Sequence, residues 1–333
     1  MAERLGIRLH DDGPVEWLVL DEHGNRIGAI QRDTLDAIAP QAAGRRVTVF
    51  VPTAAVTLTS ATLPSQNAQR IAQALPFALE ERLSEDIEDL HFAAGPVRAD
   101  GSRAVAVVRH AAMDSWLAAL ADAGIKPDLL LPDVFALPYK PDTWQIAAEP
   151  DSMCVRIDAS AGFAADMDMA ATLLALKLEE AGADERPQAV AICAADPDDP
   201  AAMAIAAVCA AAGIDNVDVE ALPDGSLLSS AAAGITASAG FNLLQGAYRP
   251  RSDWERRWRR WRPAAVLAAA WIVLVIAWQG VDFYQLHRRD AALKAEIAKT
   301  FHQALPDVQR MSDPRAQMTS RLRALEGAGN GTS

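Results

Sequence analysis

Residues 263–281 read PAAVLAAAWIVLVIAWQGV, and every side chain from Ala264 to Trp278 is apolar. About 18 helical residues rise roughly 27 Å, close to the hydrocarbon thickness of a bilayer. A buried core helix would share that run but not its approach, where Arg256, Arg257, Arg259, Arg260 and Arg262 alternate with Trp254, Trp258 and Trp261. The three tryptophans fall at i, i+4 and i+7, on one helical face. The stretch therefore reads as a single transmembrane helix. Arg256, Arg257, Trp258, Arg260, Trp261 and Arg262 form its anchor at one interface, and Trp278 marks the other.

Orientation follows from charge. Arg249 and Arg251 add to the cluster before the span, whereas the window after it holds Arg288, Arg289 and Lys294. The positive-inside rule places residues 1–262 in the cytoplasm and residues 282–333 outside it. Residues 1–250 carry 17 Lys and Arg against 36 Asp and Glu, net −19; residues 251–333 carry 14 against 8, net +6. An acidic head excludes direct binding of nucleic acid or anionic lipid and suits a basic protein partner. Cys154, Cys193 and Cys209 show no C-x-x-C spacing, and the six histidines show no ligand spacing, so no metal and no cofactor is expected. The N-terminus lacks a signal-peptide pattern, which leaves the span as the insertion signal.

Along the head, residues 5–10, 15–20 and 26–30 read as a strand meander, 33–39 as a short helix and 46–51 as a strong strand ended by Pro52. Residues 90–92 and 104–108 form a hairpin around Asp100-Gly101. Residues 111–124 form a helix with Trp116, Leu117 and Leu120 inward and Gly124 at its end. Proline-rich 129–141 reads as a connector between two subdomains, 1–141 and 142–245. In the second, strands at 153–158, 188–193 and 217–222 alternate with helices at 168–181 and 200–212, followed by a small helical stretch at 226–239. The alternation gives an α/β head. A basic aromatic linker, 246–262, joins it to the span at 263–281 and to a helical segment at 282–333.

Within residues 63–93, Ile71 and Leu75 face inward, Pro76 opens a second helical piece over 77–83, and Phe77 and Leu79 belong to the core. Glu80, Glu81, Glu85, Asp86, Glu88 and Asp89 crowd into ten residues, as a solvated face or a partner-binding one. Beyond the span, Leu286, Leu293, Ile297 and Phe301 make an apolar stripe suited to pairing with another helix.

At Ala74-Leu-Pro-Phe-Ala-Leu-Glu-Glu81, with Leu90-His-Phe-Ala93 after it, the chain resembles protein L of the type II secretion system, a bitopic inner-membrane component. Trp116, Gly124 and Pro127, Leu137-Pro138, Gly162-Phe163, the FNLLQGAY of 241–248 and the DPRAQM of 313–318 extend the resemblance over nearly the whole chain. It implies an actin-like (ribonuclease-H-like) cytoplasmic head that recruits the cytosolic secretion ATPase. It also implies location in the bacterial inner membrane, a periplasmic C-terminus, and pairing with protein M, or as a homodimer, through the span and outer segment. The family's ferredoxin-like periplasmic domain would not fit into the residues after 281, so that segment is expected to be truncated or short.

The resemblance raises a second class of function, a membrane-anchored actin-like ATPase of a type IV pilus-like assembly. Such a site needs Gly, Ser or Thr turns after the first strand of each half. The turns here read Arg8-Leu-His-Asp-Asp-Gly13 and Ile157-Asp-Ala-Ser-Ala-Gly-Phe163, and no G-x-x-x-x-G-K-[ST] occurs. Asp158 reads as a turn residue rather than a magnesium ligand. The expectation is an adaptor, not an enzyme.

Overall fold

Two sheets with one and the same strand order build the head. The computed structural model describes residues 3–10, 13–63, 67–98, 100–182, 186–231 and 241–250, and in the C-terminal region 270–271, 273–279, 284, 288–296, 299, 319 and 323. Met1–Pro250 forms one unit and Arg251–Ser333 another.

The first sheet contains β1 (Arg4–Arg8), β2 (Val15–Leu20), β3 (Arg26–Asp33), β4 (Arg46–Val51) and, far along the chain, β8 (Leu129–Pro132), in the order β3-β2-β1-β4-β8. β2 runs antiparallel to β1 and β3; β4 and β8 run parallel to β1. β4 reads RVTVFV and buries every residue after Arg46, as a central strand covered on both faces must. Helix α1 (Leu35–Ala42) joins β3 to β4.

Between β4 and helix α3 (His110–Asp122) the chain inserts a smaller unit: β5 (Val56–Ala61), helix α2 (Ala68–Leu79), β6 (Leu90–Val97) and β7 (Arg103–Arg109), with sheet order β5-β7-β6. The hairpin expected around Asp100-Gly101 is the β6–β7 pair. Pro76 does not open a new helix; it lies inside α2. Ile71, Leu75 and Leu79, at i, i+4 and i+8, are buried on the small sheet. At about 1.5–3 kcal/mol for each buried side chain, they outweigh the roughly 3 kcal/mol cost of an interior proline. Leu79 is core as expected, but Phe77 is not: it points away from that stripe and is 70% exposed.

The second sheet repeats the first. β9 (Thr143–Ala148), β10 (Ser152–Arg156), β11 (Gly162–Asp166), β12 (Ala189–Ala194) and β13 (Asn216–Ala221) stand in the order β11-β10-β9-β12-β13, with helices α4 (Met167–Glu180) and α5 (Pro200–Ala211) between strands. Again the first three strands are antiparallel and the last two parallel to the first. The repeat extends to the turns. α3 and α5 both run into Ala-Gly-Ile, with Gly124 and Gly213 at positive φ. Ile125 N donates to Leu120 O and Ile214 N to Cys209 O, the six-to-one bond that closes a helix end and turns an isoleucine into the core. This doubled order is the actin-like, ribonuclease-H-like arrangement.

Residues 129–141 are thus not a plain connector. β8 pairs with β4, and the following turn, Asp133–Ala136, is fully buried. The second sheet also starts earlier than the strand at 153–158, with β9.

In the second unit, residues 270–271 and 273–279 are helical, as are 288–296. Among the described residues no helix is long and apolar enough to cross a membrane.

Candidate functional site

β1 and β9, the first strands of the two repeats, end side by side, and a buried charge cluster fills the space between them. Arg8 closes β1 and is 4% exposed. Its Nε donates to Asp133 Oδ2 at 3.0 Å; Nη1 and Nη2 donate to Glu149 Oε1 and Oε2 at 2.6 Å each, a bidentate grip. Glu16 stands opposite Arg8 in the β1–β2 ladder, with Oε2 3.7 Å from Nη1. Each carboxylate has further donors. Asp133 Oδ1 accepts from Thr53 N (3.0 Å) and Thr53 Oγ1 (2.7 Å), with Cys154 Sγ 3.7 Å away. Glu149 accepts from Leu227 N at 3.0 Å. Glu16 accepts from Arg32 Nη2 (2.6 Å) and Ser226 Oγ (2.5 Å).

These partners set the protonation states. Burial disfavours the Arg8 charge, yet Asp133 and Glu149 more than offset it and hold the guanidinium protonated. Burial likewise would raise the Glu16 carboxyl, but hydrogen bonds from His10, Ser226 and Arg32 and the charge of Arg8 bring it down to about 2. The Cys154 thiol moves up, through burial first and then Asp133. The Arg8 guanidinium and the Glu16 carboxylate are thus held charged, and the cluster is paired and buried.

The nucleotide question turns on the same place. The segment expected to be the second phosphate turn, 157–163, lies between β10 and β11, one hairpin too late. The turn after β9 is Glu149-Pro150-Asp151. Pro150 has no N–H to offer, and the Glu149 side chain enters the space between the turns. Asp158 is a turn residue: its carboxylate accepts from Ser160 N at 2.5 Å and from Arg98 Nη2 at 2.9 Å. Among the described residues no group of His, Cys, Asp or Glu is disposed to hold a metal ion.

The six acids of the α2 region remain together at the surface, all exposed. Glu80 and Glu81 lie in the turn Glu80–Arg82, and Glu88 and Asp89 in the turn Ile87–Asp89. Glu80, Glu85, Asp86, Glu88 and Asp89 rim one shallow depression floored by Leu83 and Ile87. Glu85 is gripped by Arg109 at 2.6 and 2.7 Å, which holds its carboxyl below the usual range. Phe77, exposed, lies one helical turn before Glu80 and Glu81, so an apolar ring adjoins the start of the acidic stretch.

Residues 241–248 form a strap across the first lobe and the inserted sheet. Leu243 N donates to Leu130 O of β8 at 2.9 Å, and Asn242 Oδ1 accepts from Leu130 N at 3.0 Å. Gln245 Nε2 donates to Ala94 O at 2.9 Å, and His91 Nε2 to Leu243 O at 2.8 Å. Tyr248 Oη lies 2.7 Å from His110 Nδ1 and donates to Asp114 at 3.0 Å. Of the membrane-anchor set, Arg256, Arg257, Trp258, Arg260, Trp261 and Arg262 lie outside the described residues, as does Ile297. Trp278 and Leu293 are helical, 72% and 57% exposed.

Residues 4–251 match the family model of type II secretion system protein L, and residues 257–325 match the GspL transmembrane domain, which marks this as a membrane protein. Type II secretion system protein L of Dickeya chrysanthemi is 27% identical over 334 residues, 99% of this chain and 77% of that protein. The cytoplasmic domain of EpsL, an inner membrane component of the type II secretion system of Vibrio cholerae, shares the fold at a TM-score of 0.58 and 21% identity, over 74% of this chain and 100% of that one. The PilM-PilN type IV pilus biogenesis complex gives a TM-score of 0.51 at 13% identity, over 71% and 98%, again a likeness of fold. With the head matched almost end to end and the membrane region matched after it, in that order, the chain belongs to the type II secretion system protein L family.

Proposed function

We propose that this chain is an inner-membrane platform component of the type II protein secretion system. It crosses the membrane once, with its head in the cytoplasm and its C-terminus in the periplasm. It recruits the cytosolic secretion ATPase and links it to periplasmic partners, protein M among them, and it catalyses nothing itself. Besides family membership, one observation carries this reading: the space between the β1 and β9 turns is filled by Arg8, Glu149, Asp133 and Glu16. Carboxylates around a buried guanidinium repel a polyphosphate.

The recruiting surface in this reading is the acidic face of the insert. Exposed Glu80, Glu81, Asp86, Glu88 and Asp89 would steer a basic partner, and exposed Phe77 beside Glu80 and Glu81 would supply apolar contact, since rim charges add on-rate more than affinity. Leu293 and Ile297 remain the proposed contacts of the outer segment, in a homodimer or with protein M.

The test is chromatography of the detergent-solubilised full chain with the secretion ATPase of the same system, alongside calorimetry with ATP and magnesium. Co-elution without nucleotide binding to the chain alone supports the adaptor. Saturable ATP binding would favour the pilus-type ATPase instead, and failure to co-elute would remove recruitment.

A further inference from the structure

The Arg8 cluster joins elements of both repeats. Arg8 and Glu16 belong to the first repeat, Asp133 to the crossing between repeats, and Glu149 and Cys154 to the second. The Arg8 and Glu149 side chains are 5% and 13% exposed. The grip is two-sided, because Asp133 holds the guanidinium edge while Glu149 holds its end. Glu149 and Glu16 in turn fasten the chain just beyond β13, through Leu227 N and Ser226 Oγ.

We infer that Arg8 is a built-in occupant of the inter-lobe cleft, a lock that holds the two lobes closed with no ligand. In the place where a two-lobed head of this strand order would close on a bound molecule, this one closes on its own guanidinium. Opening the lobes breaks the bidentate grip of Glu149 on Arg8 and the bonds that hold both partners in place, which favours the closed arrangement. The head then behaves as one stiff body between whatever docks on its insert and the strap that leads to the membrane. This inference stands apart from ATPase recruitment, since it concerns only motion within residues 1–250.

Two native cysteines report on it. Cys154 is buried beside Asp133 in the cleft, whereas Cys209 is buried in the core of the second lobe. Alkylation of the full-length chain in detergent with iodoacetamide, resolved site by site by mass spectrometry, separates opening of the cleft from global unfolding. Glu149→Gln keeps the side-chain shape and removes the charge. It is expected to speed Cys154 alkylation roughly tenfold or more at fixed pH and leave Cys209 unchanged. Arg8→Ala is expected to do the same, and tens of millimolar guanidinium chloride, but not sodium chloride, is expected to slow Cys154 again by refilling the cleft. An unchanged Cys154 rate in Glu149→Gln overturns the lock. So does parallel acceleration of Cys154 and Cys209, which would show that the lobes come apart only when the head unfolds. Should Arg8→Ala fail to fold, Glu149→Gln decides alone.

Discussion

Removing the Phe241 ring releases the strap, and the size of the effect can be worked from one close contact. Phe241 is buried and stacks on Phe135 with ring centroids 5.2 Å apart. Its other face covers Gly95, where a Cβ would stand 2.5 Å from Cε2 and 2.7 Å from Cδ2. Phe241→Ala should cost about 3–5 kcal/mol, as a buried ring does. Gly95→Ala pushes a methyl into the ring and should cost about 1–3 kcal/mol by overpacking. In a strand without the ring, alanine would be the better residue, so the sign of the Gly95 substitution depends on Phe241. In the double variant the methyl enters space the ring has left, and its cost should nearly vanish. A coupling of about 1–3 kcal/mol is expected from urea unfolding of residues 1–250 in the four proteins, followed by tryptophan fluorescence. Faster chymotryptic cleavage after Tyr248 in Phe241→Ala would report the freed strap. Additivity of the two substitutions to within about 0.5 kcal/mol would refute the packing argument.

The depressed Glu16 carboxyl ties stability to acid: its contribution is complete above the ordinary value of 4.5 and is lost as pH falls toward about 2. It amounts to about 3 kcal/mol, so Glu16→Gln should flatten that limb of the urea midpoint against pH, and an unchanged limb would reject the pairing. A periplasm-dependent reporter should be active when fused after Ser333 and silent after Tyr248; the reverse would sink the orientation. Phe77→Ala should change head stability by less than about 0.5 kcal/mol because the ring is exposed, yet weaken ATPase binding; unchanged affinity would move the interface elsewhere. Reversing Glu85, Asp86, Glu88 and Asp89 to Lys together should slow association and flatten its salt dependence, and unchanged kinetics would make the face a solvated surface.

Local chemistry made part of this fold legible. The apolar run at 46–51 is β4, and Gly124 ends α3 as its position suggests. Asp199 before Pro200 starts α5, with its side chain accepting from Ala201 N at 2.8 Å. What local chemistry does not carry is pairing. Leu129–Pro132 is four residues in a proline-rich stretch, and only its place beside β4 makes it a strand. β9 is bracketed by Pro141-Asp142 and Pro150-Asp151, turn signals that the sequence does carry, and without β9 the second turn is placed one hairpin late. The same limit applies to the site. Arg8 and Glu149 are 141 residues apart, and neither stands in a motif. With α2 continuous through Pro76, the buried stripe runs through Ile71, Leu75 and Leu79 and leaves Phe77 outside.

The doubled topology explains why the lock takes the form it does. A repeat brings corresponding strand ends face to face, here the last residue of β1 and the first beyond β9. Had both been the same charge, the lobes would repel; with Arg8 on one and Glu149 on the other, the contact neutralises itself. The polarity is also fixed. Asp133 and Glu16 both stand around Arg8, so exchanging the pair would set three carboxylates together and move the guanidinium to the far side of the contact. A swap that preserves the pair in isolation should therefore fail where the conservative Glu149→Gln is tolerated. The cation belongs at the end of β1 because Glu16 of β2 and Asp133 of the crossing already stand around that strand end.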